Sequence, residues 1–450
     1  MPFDHPQPSP FTWIGSDRRL ARRVGRPVKR FLAIEAAGGV LLIVSTIVAL
    51  VWVNSPWSSS YHHLFEAEIN FRIGGILTLD LPLEMWINDG LMAIFFFVVG
   101  IEIKRELVSG ELKDPRAAAL PAMAALGGMI FPALIYFAFN AGGASHGWGI
   151  PMATDIAFAV GIVSLLGSRV PGAMKVFLLT LAIVDDIGAI VVIAVFYTSD
   201  LSLGWLAIAG GLLLVVVAMR TARIWYIPAY IFVGMFIWLA VFESGIHATI
   251  AGVALGLLTP ALPLKPEVSD DLDFVGRAMS GDANASLVRR ASFDLNEQVS
   301  VAERLAEFLH PYSSFIIIPI FALSNAGIEI SRDALSTAAT SDVTLGVVFG
   351  LVVGKLVGIS FFTFLGVKSG ISKLPHGASW THVVGLAAIG GVGFTVSLFV
   401  TGLAFDNPVF TEDAKIGIVV ASMAAALIGS LILTRAKHVT EVEFEAPLPN

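Results

Sequence analysis

Long apolar segments recur along almost the whole chain, separated by short polar stretches. A helix of roughly 20 apolar residues crosses the hydrocarbon core of a bilayer, which is about 30 Å thick. The pattern predicts about twelve such helices, at residues 31–53, 84–107, 117–140, 149–167, 174–198, 203–219, 224–242, 245–262, 307–327, 343–367, 382–404 and 412–434. The predicted fold class is therefore an all-α polytopic membrane protein.

Composition supports this class. Of 450 residues, 56% are hydrophobic and 14% are charged, and the mean hydropathy is +0.81. Soluble domains carry about 25% charged residues. Cysteine is absent, which excludes disulfides, iron–sulfur clusters and thiolate metal sites.

The positions of the basic residues predict an orientation. If the connections alternate sides, all but four of the 28 Lys and Arg residues fall on the side of the Arg-rich N-terminal tail, the four being Arg72, Arg332, Lys355 and Lys415. Basic residues concentrate in cytoplasmic loops, so we expect both termini to be cytoplasmic. The predicted organisation is a basic tail over 1–30, a membrane domain over 31–436 and a C-terminal tail over 437–450.

Two connections are long. The external one contains "INFRIGGILTLDLPLE", whose β-branched residues and glycines predict a hairpin within about 58–83. The internal one, at about 263–304, is polar with mixed charges and is predicted to be mobile.

Charged residues inside the spans are few, and two of them are adjacent. The stretch "LAIVDDIGAI" places Asp185 and Asp186 in the middle of an apolar run. An intramembrane carboxylate is costly, so it indicates a functional site. Neighbouring helical residues point about 100° apart. We therefore expect Asp185 to pair with Lys355, the one cation within a span, and Asp186 to face a water-filled path with Thr154 or Asp155 nearby.

Two spans carry helix-breaking residues. Pro151 and Gly161 flank Asp155 in the fourth span, and the eleventh reads "GLAAIGGVGFTVSLFVTG". Spans seven apart run in opposite directions, which indicates inverted halves with a site near the midplane where the broken helices meet. Helix N-termini carry partial positive charge and C-termini partial negative charge. We expect Asp155 to offset the first and Lys355 the second.

Such a site can exchange ions. An ionised carboxylate, the Thr154 hydroxyl, freed carbonyls and water are oxygen ligands that suit a hard cation such as Na+. A proton and the cation then compete for Asp186, and exchange follows if the site opens to one side at a time. A structural carboxylate is the alternative for each aspartate, and Lys355 is either a proton carrier or only the partner of Asp185.

Other functions fit the sequence less well. An intramembrane aspartyl protease needs its two carboxylates on separate helices, and a prenyl transferase needs a third carboxylate that "DDIGA" lacks. A passive channel would tolerate an open pathway, and an organic-substrate carrier would need a cavity lined by more polar groups than the spans offer. We therefore expect a transporter rather than an enzyme, with no cofactor and no nucleic-acid partner.

The sequence resembles the NhaA family of Na+/H+ antiporters over roughly 30–260 and 304–436. The matching blocks are "WINDGLMAIFFFVVGIEIKREL", "PMATDIAFAVGIVSLLGSRVP", "LAIVDDIGAIVVIAVFYT", "SGIHATIAGV", "LHPYSSFIIIPIFALSNAG", "GKLVGIS" and "GVGFTVSLF". The resemblance implies a twelve-helix inverted-repeat antiporter of the bacterial inner (plasma) membrane, with discontinuous fourth and eleventh helices. It also implies export of Na+ or Li+ for more than one proton and activation at alkaline pH.

The resemblance also implies residue roles. Asp186 would ligate the cation with Asp185 beside it, Asp185 would pair with Lys355, and Asp155, after Thr154, would compensate helix dipoles. A cytoplasmic pH-sensing cluster would comprise Glu102, Lys104, Arg105, Glu106, Glu307 and His310, for which an ordinary solvated helix end is the alternative. The external hairpin would mediate a homodimer within membrane lipid.

Two further residues have mainly structural interpretations. His247 is a candidate for the pH response, and its alternative is a hydrogen-bonded histidine near the outer interface. Asp89, in "WINDGL", is expected to be a helix-end or packing residue.

Overall fold

The computed structural model describes residues 37–73, 77–198, 201–222, 224, 227–262 and 298–436. The predicted N-terminal tail (1–30) and C-terminal tail (437–450) lie outside the described residues, as does most of the internal loop. The described part is mainly helical. Its helices are α1 Ala37–Val53, α2 Ser58–Phe65, α3 Leu83–Val108, α4 Pro115–Asn140, α5 Ile156–Leu166, α6 Gly172–Phe196, α7 Leu203–Thr221, α8 Ile227–Glu243, α9 Thr249–Leu258, α10 Val301–Asn325, α11 Arg332–Thr340, α12 Asp342–Lys368, α13 Trp380–Ile389, α14 Phe394–Ala404 and α15 Pro408–Thr434.

Many of these helices are membrane-spanning by length and composition. Among the described residues, seven qualify: α3, α4, α6, α7, α10, α12 and α15. The number rises to nine if each of two bent pairs is one span, α1 with α2 at 116° and α13 with α14 at 45°. Shorter apolar helices cover Ile156–Arg169, Pro228–Glu243 and Thr249–Leu258. The chain is thus a helical polytopic membrane protein, and the count of twelve spans stays a prediction.

A two-stranded hairpin follows α2 in the connection that is predicted to be external. Strands β1 (Glu68–Ile73) and β2 (Leu77–Pro82) pair antiparallel, with Glu68 opposite Pro82 and Ile73 opposite Leu77. Helix α2, which precedes the hairpin, is attached to the end of α10, because the Tyr61 hydroxyl donates to the carbonyls of Leu323 (2.8 Å) and Ser324 (2.6 Å).

Three long helices contain a π-helical turn: Trp86–Leu91 in α3, Ser313–Ile317 in α10 and Gly350–Gly354 in α12. A π turn inserts one residue into the helical ladder and shifts the face on which later residues lie, and such turns are frequent at functional sites. Lys355 follows the π turn of α12 directly. The turn thereby helps to set the direction of this buried side chain.

Close packing of α4 against α12 fixes the depth of Lys355. A Cβ on Gly358 would lie 2.1 Å from the carbonyl oxygen of Gly127, and one on Gly127 would lie 2.2 Å from the carbonyl oxygen of Gly358. Small residues allow membrane helices to approach to backbone contact. Because Lys355 lies one turn before Gly358, this contact holds its backbone against α4.

We predict that Gly358→Val lowers the stability of the protein by about 1–3 kcal/mol, since a side chain there must push two backbones apart. The matched control is Gly211→Val in α7, where no atom lies within 4 Å of an added Cβ, and we expect a change within about 0.5 kcal/mol. Thermal unfolding of the purified protein in detergent measures both. Equal stability of the two variants would contradict this account of the packing.

Candidate functional site

Two interrupted helical segments meet beside α6. Residues 153–155 are non-helical before α5 begins, and residues 390–393 separate α13 from α14. The backbone N–H of Asp155 donates to the carbonyl of Val392 (2.7 Å), and the Thr154 hydroxyl lies 2.8 Å from the carbonyl oxygen of Gly390. The backbone groups freed by the interruptions thus find partners in one another, as the absence of water in a bilayer requires.

Asp155 caps two helix N-termini at once. Its Oδ1 accepts from the backbone N–H of Phe158 in α5 (3.0 Å). Its Oδ2 accepts from both the backbone N–H (3.1 Å) and the hydroxyl (2.7 Å) of Thr395 in α14. Asp155 is 2% exposed. One buried carboxylate therefore faces the partial positive charge of two half-helices, in the position that the prediction for Asp155 requires.

Asp185, Lys355 and Thr154 form a fully buried group. The Lys355 ammonium forms an ion pair with Asp185 Oδ2 and donates to the Thr154 hydroxyl oxygen at 3.1 Å. The Thr154 hydroxyl lies 2.8 Å from Asp185 Oδ2. The exposed fraction of all three residues is 0%. Lys355 was expected to offset a half-helix C-terminus, but it reaches Gly390, at the end of α13, only through the Thr154 hydroxyl.

Asp186 differs from its neighbour in having few partners. It is 5% exposed, and within the described residues its Oδ1 accepts no hydrogen bond. Asp185 Oδ1 also lacks a donor. Asp186 interacts electrostatically with Asp185, Glu102, Asp155 and Lys355, of which only Lys355 is a cation. Because an unpaired buried acceptor is costly, the arrangement favours a proton or a small cation at Asp186. The Thr154 hydroxyl is engaged by Asp185 rather than by Asp186.

The predicted pH-sensing residues lie where α3 packs against α10. Glu102, Lys104, Arg105 and Glu106 are partly buried near the end of α3, whereas Glu307 and His310 are exposed on α10. Glu102 is close enough to Arg105, Glu106 and Asp186 to interact with them electrostatically. No ion pair joins the six residues in the described part of the chain.

His247 and Asp89 lie away from this cluster. His247 Nε2 is 2.8 Å from the carbonyl oxygen of Tyr197, next to the end of α6, so it donates to the backbone. This contact agrees with the structural alternative for His247. Asp89 lies in the π turn of α3, where its carbonyl accepts from the Trp238 indole at 2.8 Å.

Thr395 is a site residue that sequence reasoning missed. It lies 240 positions after Asp155 and supplies two of the three donors to that carboxylate. The sequence feature that could have identified Thr395 is its position two residues after Gly393, at the start of a helix. The first N–H groups of a helix require an acceptor.

A cavity of about 410 Å³ next to α4 is lined by apolar side chains: Met129, Ile130, Ala133, Leu134, Phe137, Trp148 and Met152. No group of three or more His, Asp or Glu side chains that could hold a metal ion together occurs in the described ranges.

Comparison with known proteins gives matches over nearly the whole chain. A family profile described as "Na+/H+ antiporter 1" matches residues 29–433. "Na(+)/H(+) antiporter NhaA 3" of Frankia alni is 46% identical, covering 95% of this chain and 91% of that protein. "Na(+)/H(+) antiporter NhaA 2" of Sorangium cellulosum is 44% identical, covering 95% and 94%. "Na(+)/H(+) antiporter NhaA" of Shewanella pealeana is 43% identical, covering 91% and 97%.

The double cap predicts a graded loss of stability. Asp155→Ala removes the acceptor for two helices and should cost about 0.5–2 kcal/mol for each cap. Asp155→Asn keeps one acceptor oxygen and should be intermediate. Asp114→Ala is the matched control, because Asp114 caps only α4, by accepting from the Arg116 N–H. Thermal unfolding compares the three variants, and an Asp155→Ala no less stable than Asp114→Ala would contradict the double cap.

Proposed function

The chain belongs to the NhaA family of Na+/H+ antiporters, and from that premise we propose that it exchanges Na+ or Li+ for protons across the bacterial inner membrane. The observation that carries the proposal is the unequal environment of two adjacent aspartates. Each has one oxygen without a donor, but Asp185 is neutralised by its ion pair with Lys355, whereas Asp186 has no ion pair in the described part of the chain. A carboxylate in that state gains most by binding a proton or a cation, and it cannot bind both.

Competition at Asp186 couples the two ions. With a proton bound, the carboxyl group is neutral and can remain in the low-dielectric interior at little cost. Without it, the carboxylate supplies an oxygen ligand for Na+, and Asp185 Oδ1 next to it supplies another. Hard cations take such oxygen ligands together with carbonyls and water. Each crossing of the membrane then carries either protons or the cation.

The Asp185–Lys355 pair supports electrogenic exchange. When Asp185 contributes to cation binding, its attraction for the Lys355 ammonium weakens, and a buried lysine without its counter-charge favours the neutral form. Release of that proton together with the one from Asp186 gives more than one proton for each cation. The cycle then moves net charge and responds to the membrane potential.

Alternating access requires two halves of the membrane domain that move relative to one another. We propose that the shorter apolar helices α5, α8 and α9 complete a set of twelve spans in two inverted halves, with α5 and the α13–α14 pair as the discontinuous spans four and eleven.

We propose that both termini lie in the cytoplasm, because the basic residues of the loops concentrate on that side. The hairpin of β1 and β2 is proposed to join two copies into a dimer in the lipid bilayer.

The pH response is proposed to act through Glu102. Glu102 interacts electrostatically with Asp186 as well as with Arg105 and Glu106. A change in charge at the end of α3 therefore alters the field at the transport site. Lys104, Glu307 and His310, on the same pair of helices, contribute to that field at longer range, and His247 is assigned a structural role.

The decisive variant is Asp186→Asn, which keeps the shape of the side chain but removes the carboxylate that binds a proton or a cation. In everted membrane vesicles with a pH-sensitive dye, we expect NaCl or LiCl to collapse the pH gradient for the natural sequence and not for this variant. Asp89→Asn is the matched control, because Asp89 is another carboxylate of a membrane helix but lies outside the site; it should retain exchange. Normal exchange by Asp186→Asn would overturn the mechanism.

A second prediction concerns Lys355. Lys355→Met leaves Asp185 buried without a cation and should destabilise the protein by about 3–5 kcal/mol. Adding Asp185→Asn removes the uncompensated charge and should restore most of the loss. Lys368→Met, at the end of the same helix, is the control. Thermal unfolding measures stability, and proteoliposomes with an imposed membrane potential measure charge movement, which the double variant should no longer show.

A further inference from the structure

His382 joins the far ends of the two interrupted segments whose near ends form the transport site. It lies in the first turn of α13 and is 2% exposed. Its Nε2 is 3.1 Å from the carbonyl oxygen of Arg169, 213 positions earlier in the chain. Arg169 belongs to the 3₁₀ turn Gly167–Arg169 that directly follows α5. His382 therefore connects the 3₁₀ turn after α5 to the first turn of α13.

The same imidazole caps α13. Its Nδ1 accepts from the backbone N–H of Ser379 (3.1 Å) and lies 2.8 Å from the Ser379 hydroxyl. Ser379 and His382 form a capping box. In this arrangement the side chain of the N-cap residue accepts from the backbone N–H of the third helical residue, and the side chain of that third residue accepts from the N-cap N–H. Helix α13 thus depends on the His382 ring for the partner of its N-cap N–H group.

These contacts require one protonation state. A carbonyl oxygen only accepts, so Nε2 must carry the hydrogen; a backbone N–H only donates, so Nδ1 must be unprotonated. The ring is therefore the neutral Nε2–H tautomer. Protonation at Nδ1 would remove the acceptor for the Ser379 N–H and place a positive charge at the N-terminus of a helix, where the helix dipole opposes it.

Nothing in the neighbouring elements offsets such a charge. Helices α6, α12 and α15 pack against α13. Their carboxylates, Asp185, Asp186, Asp342, Glu412 and Asp413, lie at the level of the transport site or at the opposite ends of α12 and α15. The ionisable groups described near the His382 end are cations or histidine: Lys175, Lys368, Lys373, His376, Arg169 and Arg435. A protonated His382 would have no anionic partner among them.

We propose that neutral His382 is a positioning residue for transport, which holds α5 and α13 in register with the site. The near ends meet where Thr154 contacts Gly390 and Asp155 donates to Val392. The ten residues of α13 carry the constraint over roughly 15 Å. This inference rests on the proposed antiport function. The ring is on the side of Arg169, which is cytoplasmic in the proposed orientation.

Three variants separate this role from simple packing. His382→Gln retains an acceptor for the Ser379 N–H, as in the Gln form of the capping box, and an N–H donor for Arg169. His382→Ala removes both contacts. His376→Gln is the control, since His376 is an exposed histidine in the connection that leads to α13. Exchange is measured at saturating Na+, which suppresses proton competition at Asp186, at about pH 8.5.

At about pH 8.5 we expect His382→Gln to match the natural sequence and His382→Ala to have a roughly fivefold lower maximal rate with a similar KM for Na+. His376→Gln should also match the natural sequence. Equal maximal rates for the natural sequence and His382→Ala, or for His382→Gln and His382→Ala, would overturn the proposal.

A spectroscopic measurement tests the protonation state without transport. Solid-state NMR of protein with ¹⁵N-labelled histidine, with His382→Gln subtracted to assign the signal, should show an unprotonated Nδ1 and a protonated Nε2 at alkaline pH. A protonated Nδ1 at alkaline pH would overturn the inference even if antiport is confirmed. Failure of the natural sequence to exchange Na+ would reject the proposed function, and the tautomer result would still stand by itself.

Discussion

Helix N-termini that face one another inside a membrane leave N–H groups without acceptors and bring partial positive charges together, and no water is present to relieve either problem. Asp155 resolves both at the centre of this protein, because one carboxylate accepts from α5 and from α14. The crossing of the two interrupted segments depends on that carboxylate. The position of Thr154 follows from it, since Thr154 precedes Asp155 and is drawn to Gly390 and Asp185.

The unequal aspartates follow from the same crossing. Thr154 and Lys355 both approach α6 on the side of Asp185, so that residue receives a cation and a hydroxyl. Asp186 points elsewhere, because the next residue of a helix is turned by about 100°. One carboxylate is thereby held in an ion pair, while the other has no cation of its own within the described residues.

The rest of the fold holds this centre from several directions. The glycine contact between α4 and α12 sets the height of Lys355, and the π turn before it sets its direction. His382 and Arg169 connect the far ends of α5 and α13. These contacts use backbone carbonyls and small residues, and they add to the apolar core in which α5, α6 and α13 share Val163, Phe177 and Leu386.

The sequence by itself determined the class of protein and predicted which residues would form the candidate site. Apolar runs, loop charges and isolated intramembrane charges are local signals, since a bilayer selects for length and hydrophobicity segment by segment. The discontinuity of the chain near Asp155 and Gly390 was also legible, because glycine and proline disrupt helices locally. What only the tertiary structure decided is which group meets which: Thr395 with Asp155 across 240 positions, Thr154 with Asp185 rather than Asp186, and His382 with Arg169 across 213 positions. These pairings depend on how helices cross in three dimensions, and a hydrogen bond depends on a few tenths of an ångström that no local pattern of residues specifies.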